Sequence, residues 1–240
     1  LKLQSATTLS SSNPVSFGDV NFEGQILTFG SGSTQLTLTD ANTALILSGS
    51  TLETGTGSLT LAGGLSMSNL GKLSSSGGTI ALNSGGSLVS GSTLSLPDTT
   101  LVMQSPLSIA SSTLKASNTT FTTNANALTL SGSILEVEGA QDLSGVSLDN
   151  SSTLRLAGDS TINDSSVLSV HSLELQDFAL TLDDAMAGLS VSHSVMLDTS
   201  TEIINSGAAD LKLNGGITVS AGTLSSSVGT VFATSGASQS

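Results

Sequence analysis

Three features of the sequence predict an all-β chain wound as a right-handed parallel β-helix, a β-solenoid with about 20 residues and three short strands per coil. The first is a period: Leu-x-apolar pairs, or their nearest equivalents, fall at Leu52, Leu73, Leu94, Leu114, Leu135, Leu154, Leu173 and Val195. The second is the alternation inside each short run, where Leu or Val takes one side and Ser, Thr, Lys or His the other, as strands require. The third is a shortage of aromatic residues. With six Phe, no Trp and no Tyr, the core must be filled by aliphatic side chains. A tube about 10 Å across can be filled that way, whereas thicker packed layers normally draw on aromatic volume.

Two further series share the period. One runs through Leu59, Ile80, Leu101, Phe121, Leu143, Ile162, Leu180 and Ile203, the other through Leu107, Leu128, Val146, Leu168, Leu189 and Leu211. Three series in fixed phase predict three strands per coil, separated by Gly, Ser, Asn or Asp where the backbone turns. A single coil cannot bury its own apolar edge; stacking on its neighbours both buries it and completes the hydrogen bonds of every strand. Right-handed winding follows from the chirality of parallel crossovers.

The punctuation agrees with this layout. Pro97 and Pro106 bracket the strand around Leu101 and Met103, where no ladder donor is needed. The best helical candidate is the run from Leu182 to Leu189, "LDDAMAGL", expected as one turn inside a loop. Asn83, Asn118, Asn124 and Asn150 lie near turns and could stack as an amide ladder. Phe17, Phe22 and Phe29 gather near the start, which suggests a first coil with a broader core. The chain reads as one solenoid domain over 1–240: 1–33 as a first coil or cap, 34–224 as regular coils and 225–240 as a terminal coil or tail. It is expected to be a segment of a longer protein.

The stretch "SGSTLSLPDTTLVMQSPLSIASSTLKASNTTFTTNANALTLSGSILEVEG" resembles the Ser/Thr/Gly/Asn-rich coils of autotransporter passengers and of filamentous-haemagglutinin-like exoproteins. The resemblance covers most of residues 34–224 and is one of style. It implies a β-helix displayed outside a bacterial-like cell, and no functional residue is carried over with it.

Composition narrows the function classes. Five basic against 18 acidic residues give a net charge of −13, which repels nucleic acid and anionic membrane surfaces. The chain has no Cys, hence no disulfide framework and no thiolate site. No apolar run approaches the roughly 20 residues of a membrane-spanning helix, so no transmembrane segment is expected in this chain. Three Asn-x-Ser/Thr triplets, at Asn118, Asn150 and Asn163, are expected by chance in so Ser- and Thr-rich a chain.

Candidate sites are few, and each has a plainer reading as ordinary surface. His171 and His193 are 22 residues apart, about one coil, and could form a two-His metal site or an acid/base pair. Their local phases differ by one residue, which favours two exposed His without a role. Asp183 and Asp184, with Asp177 and Asp198, could hold a hard cation, but turns also favour Asp. Glu136 and Glu138 in "LEVEG" project from one face as glycosidase carboxylates can. Solvated charges are the better reading, because the chain lacks aromatic platforms for sugar rings. Arg155 and Lys115 are too isolated among acidic groups to form a polyuronate cleft. The Thr-rich runs "TTFTT" and "LTLTD" resemble the outward rows of ice-binding β-solenoids, without a regular Thr-x-Thr column at the coil period.

No catalytic, cofactor-binding or metal residue is therefore assigned from sequence, and no cofactor is expected. The expected function is a non-catalytic, exported structural or adhesive shaft at the cell surface. Its partners would be other copies of itself, an extracellular ligand, or further coils of the same polypeptide. Alternatives are a self-assembling subunit of an extracellular filament or sheath and, less favoured, a β-helical polysaccharide hydrolase or lyase.

Overall fold

The computed structural model describes residues 1–30, 34–123, 127–233 and 238–239, with side chains through residue 233. They divide into two compact units, Leu1–Thr129 and Leu130–Ser240. All regular structure among the described residues is β, and the strand pairs are parallel. The fold is a β-solenoid with three strand positions per coil, consistent with the expected right-handed helix.

In the first unit one ladder stacks Thr7–Leu9, Ile26–Phe29, Thr51–Gly55, Lys72–Ser75, Thr93–Pro97 and Thr113–Ser117. Its register aligns Leu52, Leu73, Leu94 and Leu114, all completely buried. A second ladder stacks Val15–Phe17, Gln35–Leu38, Ser58–Leu61, Thr79–Leu82, Thr100–Met103 and Thr120–Thr122, aligning Leu36, Leu59, Ile80, Leu101 and Phe121. The third contains Leu45–Ser48, Leu65–Ser68, Gly86–Leu88 and Leu107–Ala110. Alternate residues point inward because side chains in a strand alternate, and parallel stacking lines equivalent inward residues up in columns that are mostly aliphatic, with Thr54 and Ser75 as buried polar members in the first ladder.

The corners are built with hydroxyl groups. Ser50, Ser92 and Ser112 precede consecutive or near-consecutive strands of the first ladder and are buried, and each hydroxyl donates to a carbonyl two or three residues back: Ser48, Val89 and Ala110. At the next corner Thr99 Oγ1 lies 2.8 Å from the Pro97 carbonyl oxygen and 2.9 Å from Ser75 Oγ, two acceptors within reach of its one proton, and Thr119 donates to the Leu96 carbonyl. A short side chain can turn inward here only because its one donor finds a partner within the turn. Gly71 occupies the place equivalent to Ser50 and Ser92, and a Cβ there would lie 1.8 Å from the Leu47 carbonyl oxygen.

Among the described residues the expected Asn ladder is not formed. Asn118 and Asp98 stack at one corner with φ near +50°, a conformation these two types tolerate, and Asn118 Nδ2 donates to Asp98 Oδ1 at 3.2 Å. Asn83 and Asn150 lie at other corners, and Asn124 lies outside the described residues.

In the second unit, the first two strand positions merge in two coils, giving the long strands Ile134–Asp142 and Thr153–Asn163. They separate again into Ser172–Glu174 and Ala179–Leu182, then Val195–Leu197 and Ile203–Asn205. The third position carries Val167–Val170, Gly188–Val191, Asp210–Leu213 and Val231–Ala233. Here the predicted second series needs correction. Ile162 pairs with Gln141 and Leu182, not with Leu143 and Leu180, and Ile204 rather than Ile203 faces the core. The run "LDDAMAGL" contains no helix; Met186 N–H donates to the Asp183 carbonyl in a turn that lets Met186 plug the core.

Candidate functional site

The polar surface of the second unit gathers most of the residues that sequence reasoning singled out. The register places Glu136, Arg155 and Glu174 in one outward row on consecutive coils. Arg155 Nε donates to Glu174 Oε2 at 2.6 Å, and its Nη1 lies 3.9 Å from Glu136 Oε2. The guanidinium is thus committed to carboxylates of its own chain and is not presented to an anionic polymer. Glu138 also faces outward, but a register shift at Val137/Gly139 carries it over Gly158 of the next coil.

Beside this row the first strand position is interrupted. Ser172–Glu174 pairs with the preceding coil and Val195–Leu197 with the following one, and among the described residues no strand pairing joins them. A depression of about 450 Å³ opens there, with Glu174, Asp177, His193, Met196, Asp198 and Glu202 in its lining. Gln176 and Asp177, both at positive φ, make the turn that widens it. Glu202 is 7% exposed; its Oε2 accepts the N–H groups of Asp198 at 2.7 Å and Thr199 at 3.3 Å, so it fixes the loop on the far side.

His171 and His193 meet at the rim. "LSVHS" and "LSVSHS" align through Leu168/Leu189 and Val170/Val191, and the corner absorbs the extra residue, Ser192. His193 N–H donates to the His171 carbonyl at 2.7 Å, and the two imidazoles stack with centroids 5.2 Å apart and planes at 28°. Both side chains are exposed. The one-residue offset that separated them in the sequence therefore does not separate them in space.

The Asp group is dispersed. Asp183 accepts Ala185 N–H in its own turn and Asp184 accepts Ala208 N–H, whereas Asp177 and Asp198 lie in the depression. Among the described residues no group of three or more His, Cys, Asp or Glu could hold a metal ion. The Thr-rich runs fall on the second ladder of the first unit, where the outward column reads Thr37, Thr60, Ala81, Val102 and Thr122. Ala and Val interrupt its hydroxyls, in line with the irregular spacing of Thr in the sequence. A smaller cleft of about 330 Å³ in that unit is lined by Phe22, Ile46 and Glu23, the last paired with Lys2 at 2.8 Å.

Glu174 and Glu202 escaped the sequence reading, and so did two carboxylates outside the depression. Asp149 is partly desolvated, which opposes ionisation, but hydrogen bonds from Ser131, Ser151 and Ser152 prevail and hold its pKa well below the usual carboxylate range. Asp164 is the reverse case. It is 1% exposed, Oδ1 accepts Ser166 N–H and Oγ–H, and Oδ2 has no hydrogen-bond partner. Burial raises its pKa and nearby Asp142 adds to the rise, against the pull of the Ser166 bonds. Nothing in a Ser/Asp-rich run distinguishes an Asp that caps a turn from one that also points inward.

No family model, curated protein or solved structure matches the chain.

Proposed function

We propose that this chain is a non-catalytic structural β-solenoid, part of a shaft or scaffold displayed outside the cell. The observation that carries this reading is the repeating inward register of the first unit, where buried aliphatic residues such as Leu52, Leu73, Leu94 and Leu114 stack coil on coil. Parallel stacking of this kind converts added coils into added length without a new core, which suits a spacer. The outward chemistry supports the same conclusion: Arg155 is neutralised, Glu202 holds a loop, and Glu136 and Glu138 are directed at different neighbours. The Ser- and Thr-rich faces provide solubility, and export fits the Cys-free, acidic composition.

Negative-stain electron microscopy across a concentration series tests the proposal. Particles of one constant length support a shaft; filaments or sheets that grow with concentration would move the function to self-assembly. Hydrolysis or eliminative cleavage of acidic or neutral polysaccharides by the purified chain would overturn the non-catalytic reading.

A further inference from the structure

We infer that His171 and His193 form a surface site for a borderline divalent transition-metal ion such as Zn²⁺. They are the only two His of the chain, and the fold brings both to the same corner of successive coils. Neutral imidazole is a preferred ligand of such ions, whereas Ca²⁺ and Mg²⁺ favour oxygen.

The fold brings two ligand side chains within reach of one another. Two metal–nitrogen bonds of about 2.0–2.1 Å allow ligand nitrogens at most about 4.2 Å apart. The rings stand 5.2 Å apart and are inclined by 28°. Stacked rings do not aim their in-plane nitrogen lone pairs at a shared point, so binding requires rotation of these exposed side chains to bring one nitrogen of each within that limit. The backbone bond from His193 N–H to the His171 carbonyl fixes the two Cα positions, so little order remains to be imposed on binding.

The surroundings favour a cation. His193 also lines the depression that holds Glu174, Asp177, Asp198 and Glu202, whose negative field raises the local concentration of positive ions. No third side chain completes a cluster among the described residues, so water or a ligand from another molecule fills the remaining positions. Such an open site could join two copies, or a copy and a partner, through shared metal coordination.

The test is calorimetric titration of the full, untagged chain with Zn²⁺ at about pH 7.5, with Ca²⁺ as the comparison. The expected result is one Zn²⁺ per two His and no comparable Ca²⁺ signal. His171→Ala and His193→Ala should each weaken Zn²⁺ binding by at least the roughly 10–100-fold that removing even an outer-shell partner costs. Zn²⁺-dependent shifts of both imidazole C–H resonances provide a second readout, independent of variant folding. Zn²⁺ binding that survives both substitutions, equal binding of Ca²⁺, or imidazole resonances that do not respond would each overturn the assignment.

Discussion

Replacing Arg155 by Met keeps most of the aliphatic stem and removes the charge shared between Glu136 and Glu174. The size of the effect follows from exposure. Arg155 is 32% exposed, Glu136 17% and Glu174 37%, between a solvated pair, worth about 0.2–1 kcal/mol, and a buried pair, whose disruption costs about 3–5 kcal/mol. The Arg155–Glu174 contact is short and charge-assisted, but at one-third exposure solvent screens it in part. R155M should therefore cost about 1–2 kcal/mol. For a chain of this size that lowers Tm by about 2–8 °C, read by circular dichroism. The control is a double-mutant cycle with Glu174→Gln: R155M should cost about 1 kcal/mol less in the E174Q background. Equal cost in both backgrounds would refute the claim that the row acts through the Arg155–Glu174 pair.

Other expectations follow from the core, the corners and the perturbed carboxylates Asp149 and Asp164. Leu94→Ala, at a fully buried position, should cost about 2–5 kcal/mol in urea unfolding, while neighbouring Ser95→Ala, facing outward, should stay within about 0.5 kcal/mol. Gly71→Ala forces a Cβ toward the Leu47 carbonyl and should cost about 1–3 kcal/mol; an unchanged urea midpoint would show that the corner can yield. Asp149 has a lowered folded pKa, so its stabilisation is present above the ordinary 3.8 and is lost as pH falls through the lower folded value. The penalty for Asp149→Ala should thus shrink on acidification. Asp164 has a raised pKa, so its contribution is complete below 3.8 and is lost as pH rises through the folded value. The stability of Asp164→Asn relative to the parent should rise with pH over that window, and a flat difference would show that Oδ2 is not held away from solvent.

The first and third strand positions were legible because each offers one strongly apolar residue per coil at a nearly constant interval, as with Leu52, Leu73 and Leu94. The second slipped in the second unit for a local reason. Leu180 and Leu182 are both apolar at period 2, and Ile203 and Ile204 are adjacent, so periodicity alone cannot choose between them. Pairing chose Leu182 opposite Ile162 and turned Ile204 inward. The corner hydroxyls were visible only as Ser and Thr abundance, since burial of Ser92 depends on the Val89 carbonyl being within its reach. The His pair was half legible: its coil spacing could be counted, but absorption of Ser192 by the corner could not.

The direction of the ladder hydrogen bonds has a mechanical consequence. In parallel stacking they run from coil to coil, so a pull along the stacking direction loads them in series and can peel one coil at a time. Compression and sideways load are instead resisted by many bonds at once and by the close-packed aliphatic columns. Within each unit, then, the molecule is built as a strut and not as a cable: it can keep two things apart far better than it can hold them together under tension.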